Sequence, residues 1–308
     1  LTSAASRNTI SNGLEMDRRQ IVADFSLLLV ALIWGATFVI VKEAVSQIGV
    51  FTFLTLRFLF AAFVLALIFW PRLRASSPRE FLAGALVGLF LFGGYALQTI
   101  GLKYTSASKA GFITGLSVVI VPLLSTLLLR QKPSLNALVG VLLATTGLGL
   151  LTLRGLSMAQ GDLWVLGGAV AFALQIVALG RFAPQMKTAS LATIQVATVA
   201  LLSAPLAWAM EGSSPQMSDQ VWFAISFTGI MATSLAFLAQ SKAQSFTSPT
   251  HTALVFATEP VFAVLFGYLL LQERLGWRGL LGCALILTGM TIGEVGVFNR
   301  ELPSSKRE

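Results

Sequence analysis

The sequence predicts an all-α integral membrane protein whose ten transmembrane helices form two inverted five-helix repeats. Three observations carry that reading. The first is composition: 56% of residues are hydrophobic, only 11% are charged, and mean hydropathy is +0.81, whereas a soluble domain carries roughly 25% charge. The second is a series of ten apolar stretches, each near the roughly 20 residues a helix needs to cross a bilayer. The third is that the pattern occurs twice. Thr105 to Leu150 matches Thr247 to Ile292 at an offset of 142 residues. In that register Leu127–Leu129 meets Leu269–Leu271, Gly140 meets Gly282, and Thr146–Gly147 meets Thr288–Gly289. Earlier segments align at an offset of 138, with Thr55 on Thr193 and Ala62 on Ala200. An odd number of spans per copy forces the second copy to enter the membrane upside down. Inverted repeats are an architecture of alternating-access carriers, whose substrate site lies near the midplane between the halves.

Residues 1–22 are polar and lack an apolar core, so they read as a disordered tail and not as a cleavable signal. The first repeat, 23–155, holds spans at about 23–42, 50–70, 80–102, 107–129 and 134–153. Pro71 and Pro78 punctuate the loop after span two, and Lys103 and Lys109 crowd the join of spans three and four. The second repeat, 156–298, holds spans at about 161–180, 188–210, 219–241, 249–271 and 277–297. Ser248 as cap with Pro249 at the first helical position is a good opening for span nine. A second tail covers 299–308. Continuous apolar runs rich in Gly and Ala exclude a closed β-barrel, which needs short alternating segments.

The net charge of +8 is explained by topology and does not call for nucleic acid, since cytoplasmic loops are enriched in Lys and Arg. With the N-terminus inside, 14 Lys and Arg fall on the inner side, among them Arg72, Arg79, Arg130 and Arg181. Only 6 fall outside: Lys42, Lys103, Lys109, Arg154, Arg274 and Arg278. Both termini are therefore expected in the cytoplasm, with the chain in the inner or plasma membrane. The single Cys283 rules out an intramolecular disulfide. The loops are short, so function is expected within the membrane. The implied partners are the bilayer and a small-molecule substrate, with protons as candidate coupling ion and a monomer or homodimer as the assembly.

Several segments carry a family likeness. They are Leu32-Ile-Trp-Gly-Ala-Thr-Phe in span one, Leu56-Arg-Phe-Leu in span two, and Gly101-Leu-Lys-Tyr-Thr-Ser-Ala-Ser-Lys-Ala-Gly-Phe leading into span four. Glu259-Pro-Val-Phe-Ala and Leu271-Gln-Glu-Arg-Leu follow in and after span nine. In order and duplication they resemble the drug/metabolite transporter superfamily, as a ten-span chain of two EamA-type repeats from about Phe25 to Val297. The resemblance implies export of small metabolites or drugs, along a path lined by spans four and nine. One departure is visible: Glu273–Arg274 is replaced in the first copy by Gln131–Lys132.

Glu259 is an acid well inside an apolar span, where a charge costs roughly 2.5–3.5 kcal/mol on insertion scales. It must face a wet cavity, pair with a cation or carry a proton; the plainer reading is a structural hydrogen bond to a neighbouring helix. Pro260 beside it frees the carbonyl of Phe256. His251, the only histidine, lies on the same span. It belongs either to a proton route with Glu259 or to the wetted inner surface. Arg57 is the only basic residue deep in a span, so it must snorkel or find an acceptor, a carboxylate such as Glu259 included. In span four, Thr114, Ser117 and Ser125 recur at helical spacing, with Ser117 at the place of Glu259. Because Pro122 aligns with Val264 and not with Pro260, spans four and nine are expected to bend at different depths.

Gln98 and Gln240 occupy equivalent places, with Tyr95 and Phe237 one turn earlier, and Trp34, Gln175 and Gln195 add polar or aromatic options. Such amides either join helices, at around 0.6 kcal/mol per contact, or bind solute in an apolar pocket. The matched glycines of spans five and ten read as packing, within each half or between protomers. The substrate-path candidates are thus Trp34, Tyr95, Gln98, Thr114, Ser117, Gln175, Gln240 and Glu259. Glu259, His251 and Arg57 are the candidates for proton coupling. No Walker motif, His-Glu-x-x-His or Gly-x-Ser-x-Gly is present, which argues against an enzyme, and no cofactor or metal is expected. A secondary exporter leads; an uncoupled facilitator, or a flippase of a lipid-linked intermediate, is the alternative on the same fold.

Overall fold

The computed structural model describes residues 2–105, 107–152, 160–212, 217–271 and 276–301. Among them the regular elements are all helical. They run α1 (Thr2–Gln47), α2 (Val50–Arg74), α3 (Pro78–Tyr104), α4 (Ala107–Gly115), α5 (Ser117–Leu129), α6 (Leu135–Thr152) and α7 (Gln160–Phe182). The second half continues with α8 (Thr188–Glu211), α9 (Asp219–Gly229), α10 (Ala236–Ala243), α11 (Pro249–Phe256), α12 (Glu259–Leu271) and α13 (Trp277–Glu301). A π-helical segment, Ile230–Leu235, joins α9 to α10. Among the described residues eight candidate spans are long and apolar enough to cross a membrane, and two shorter apolar helices, Leu135–Leu151 and Trp277–Gly293, accompany them. Leu67, Leu82, Leu127, Leu142 and Leu201 are each more than two-thirds exposed, an apolar exterior of the kind that faces lipid. The protein is a multi-pass helical membrane protein.

Helix α1 continues back to Thr2, where the sequence reading has a disordered tail over 1–22. Residues 2–22 contain no proline, and extending a nucleated helix adds one hydrogen bond for each residue fixed. The Glu273–Arg274 pair and the end of the C-terminal tail, from residue 302, lie outside the described residues.

Three close packings join the first half to the second: α2 on α8, α3 on α7, and α6 on α13. The last is made by glycines. A Cβ at Gly140 would stand 2.5 Å from the Gly289 carbonyl oxygen, and one at Gly147 would stand 2.6 Å from that of Gly282. Positions rise along α6 as they fall along α13, so the two helices cross antiparallel. These glycines therefore join one half to the other within a single chain, neither within a half nor between protomers. Only the smallest residues let two helix backbones touch.

Spans four and nine each carry a one-turn irregularity midway, with the backbone still helical in φ and ψ. Helix α4 stops at Gly115 and α5 starts at Ser117; α11 stops at Phe256 and α12 starts at Glu259. At the 142 offset Leu116 falls on Thr258, so the breaks are equivalent and the expectation of different depths fails. Pro122 sits inside the intact α5 and does not set the break. In span nine Pro260 has no N–H for the Phe256 carbonyl, and Thr258 turns back on Val255 through its N–H (3.0 Å) and its hydroxyl (2.7 Å). In span four the Leu116 N–H is shared between the carbonyls of Phe112 and Ile113, at 3.2 Å each, which tightens that turn.

Candidate functional site

Both breaks border one cavity with a free volume of about 80 Å³. The eight expected path residues, Trp34, Tyr95, Gln98, Thr114, Ser117, Gln175, Gln240 and Glu259, all line it, as does Arg57. Its walls come in equivalent pairs. The 138 offset relates Trp34 to Phe172 and Thr37 to Gln175; the 142 offset relates Tyr95 to Phe237, Gln98 to Gln240, Thr114 to Phe256 and Ser117 to Glu259.

Arg57 neither snorkels nor meets a carboxylate. It is 2% exposed, and its Nε donates to the Thr233 hydroxyl at 2.8 Å. One terminal nitrogen lies 3.4 Å from both the Tyr95 hydroxyl and the Ala232 carbonyl. The guanidinium stands over the rings of Tyr95 (4.9 Å) and Phe58 (5.3 Å), a geometry in which the ring quadrupole attracts the cation. Ala232 and Thr233 belong to the π-helical segment, whose widened turn offers a carbonyl to side chains from other helices. Trp34 donates its ring N–H to the same Ala232 carbonyl at 2.9 Å. Such π-turns recur at functional sites, and sequence reasoning missed this one.

Glu259 opens α12 on the cavity wall, and its carboxylate makes no hydrogen bond or ion pair with any described residue. The structural bond to a neighbouring helix is therefore not made. Gly35 of α1 presses against this point: a Cβ there would lie 2.7 Å from the Glu259 backbone oxygen. The neighbouring Trp34 packs on Phe256 (4.9 Å) and Phe237 (5.6 Å), while Tyr95 packs edge-on to Phe172 at 5.2 Å.

The amides line the cavity and also join helices. Gln98 donates to Thr114 at 2.9 Å. In the second half Gln175 donates to Gln195 at 3.0 Å, Gln195 to Ser241 at 3.1 Å, and Gln240 to Gln175 at 3.2 Å.

His251 lies off the cavity and is 4% exposed, so it is not a wetted surface residue. Its Nε2 is 2.7 Å from Asp24 Oδ1, which also accepts from Gln20 at 2.9 Å. Asp24 escaped the sequence reading, although the 138 offset sets it on Asp162. Among the described residues no three His, Cys, Asp or Glu gather as metal ligands.

The profile of the EamA-like transporter family matches the chain twice, over residues 21–153 and 159–292. An uncharacterized transporter of Archaeoglobus fulgidus is 34% identical over 275 residues, spanning 89% of this chain and 86% of its own. The uncharacterized transporter YetK of Bacillus subtilis is 24% identical over 292 residues, spanning 89% and 87%. One crystal structure shares the fold, with a TM-score of 0.75 at 22% identity over 92% of this chain and 99% of its own. Both halves are matched, and the relatives are named transporters and not enzymes: the chain belongs to the EamA-like transporter family.

Proposed function

We propose that the protein is a secondary active transporter that exports small amphipathic solutes by alternating access. One observation carries the reading: two spans whose regular hydrogen bonding is interrupted at equivalent positions border a cavity whose walls are drawn in pairs from both halves. Discontinuous helices at a repeat interface are where secondary transporters bind solute. The repeats, 23–155 and 156–298, enter the membrane in opposite senses as ten spans. The antiparallel crossing of α6 and α13 at equivalent glycines supports this, as does the match of Leu135–Leu151 to Trp277–Gly293 at the 142 offset. Seventeen-residue helices rise about 25 Å, near the roughly 30 Å hydrocarbon core. The Lys and Arg excess supports cytoplasmic termini in the inner or plasma membrane.

The cavity offers a cation, Arg57, and an acid, Glu259, among aromatic rings. Amino acids, nucleosides and related solutes with polar heads on apolar bodies suit such walls. Protons are the coupling ion, with Glu259 as carrier and His251 and Arg57 as the further candidates. The partners are solute and bilayer, and the assembly is a monomer or homodimer.

A thermal-shift screen against amino acids, nucleosides, nucleotide sugars and cationic drugs, followed by counterflow in proteoliposomes, tests this. A bound solute raises the melting temperature with its occupancy, and the same solute should then exchange and accumulate against a pH gradient. Exchange without accumulation favours the facilitator, and movement of a lipid-linked head group favours the flippase. A stabilising solute that never exchanges refutes a carrier.

A further inference from the structure

Two polar clusters stand along α1, one at its middle and one near its C-terminal end. At the first Asp24 Oδ1 lies 2.7 Å from His251 Nε2 and accepts from Gln20 at 2.9 Å, and Gln20 reaches the Thr247 hydroxyl at 3.2 Å. At the other, Asp162 accepts from the Thr105 hydroxyl at 2.5 Å and lies 3.6 Å from Lys109 Nζ. Lys42 of α1 ties into that end by donating to the Thr105 carbonyl at 3.0 Å. Along α1, Asp24 and Lys42 are about 27 Å apart at 1.5 Å per residue, and Trp34 on the cavity wall lies between them.

Three positions of each cluster are equivalent. The 138 offset sets Asp24 on Asp162, and the 142 offset sets Thr105 on Thr247 and Lys109 on His251. Each joins the first helix of one half to the entry of the fourth span of the other: α1 to α11, and α7 to α4. The aspartates are only 9% and 6% exposed, so each is held away from water against a side-chain nitrogen of the other half. Losing that partner would remove a buried polar contact between the two helices, which disfavours the closed arrangement.

We infer that these clusters are paired clasps closing the two mouths of the cavity, and that transport opens them one at a time; the inference rests on the carrier reading above. Both clasps are made in this structure, and the cavity is small to match. Its free volume of about 80 Å³ is about half of the roughly 150 Å³ that takes up a benzene. Opening the α1–α11 clasp frees one mouth while α7–α4 stays shut. The equivalence of the two sets makes the opposite opening the same motion performed by the other half.

The test uses a reporter cysteine at Gly111, which lines the cavity and whose added Cβ meets nothing within 4 Å. In a Cys283→Ser background, Gly111→Cys is labelled by a membrane-impermeant maleimide in right-side-out and inside-out vesicles. His251→Ala and Asp24→Asn should raise labelling several-fold from one face and lower it from the other. Lys109→Ala and Asp162→Asn should do the reverse. His251→Lys, which copies the other clasp, should keep the unmutated pattern. If neutralising the aspartates costs folded protein, the two alanine variants carry the comparison alone. Unchanged labelling, or a rise from the same face in both sets, overturns the inference. Counterflow by the unmutated protein judges the carrier reading separately, since opposite labelling without counterflow keeps the clasps and removes the carrier.

Discussion

Glu259 and Arg57 are the acidic and the basic side chain on the cavity wall, and neither has an acidic or basic equivalent. Ser117 stands in the place corresponding to Glu259, and Gln195 in that of Arg57. The halves therefore share a frame and differ in chemistry: the second seals its side with an amide cluster, while the first holds a cation against Tyr95. Because the Glu259 carboxylate is bound to no described residue, its loss should cost the fold little and the coupling much. Glu259→Gln is expected to melt close to the unmutated protein, to exchange solute down a gradient, and to lose accumulation driven by a pH gradient. Normal proton-driven accumulation by this variant in proteoliposomes would remove Glu259 as the carrier and leave it as a solute contact that an amide can replace.

Local chemistry decides which elements can be read in advance. The Ser-Pro openings at Ser77–Pro78 and Ser248–Pro249 form as their residue types dictate, with Ser77 and Glu80 in a reciprocal cap and Ser248 accepting the His251 N–H. The cavity residues are legible as well, because polar side chains inside apolar spans have few other places to go. The interruptions are not. Pro122 is the louder signal in span four, yet the break falls six residues earlier, opposite the one in span nine. No residue type between Ile230 and Leu235 announces the π-helical segment; it is held by Arg57 and Trp34, which reach the Ala232 carbonyl from other helices. Asp24 and His251 are likewise separated by 227 residues. The approach of α1 to α12 at Gly35 belongs to this scale. Gly35→Val should force the helices apart, lowering stability by about 1–3 kcal/mol as overpacked sites do, and should impair transport through the displaced Glu259. Thermal melts and flux both equal to those of the unmutated protein would show that the contact is loose.

For the whole molecule the decisive relation is between halves. Closely packed helix pairs cross from one half to the other, so the cavity changes shape when the halves move on each other. The crossing of α6 and α13 sets backbone upon backbone, as that of α3 and α7 does at Gly101 and Gly161. Gly147→Leu places a side chain where only 2.6 Å separates a Cβ from the Gly282 carbonyl. It should lower stability by about 1–3 kcal/mol and slow exchange of solute. Unaltered melting and exchange would mean that the two helices part freely. The same close approach has a mechanical consequence. At the glycines, carbonyls meet Cα hydrogens with only Leu143, Leu151 and Ile286 of the two helices beside them, so few side chains stand in the way of a turn, and each weak contact can be replaced by another as the helices slide. In the carrier proposed above, this seam is where the halves would rock, like a beam on a fulcrum, with the direction of tilt left for the bound solute to choose.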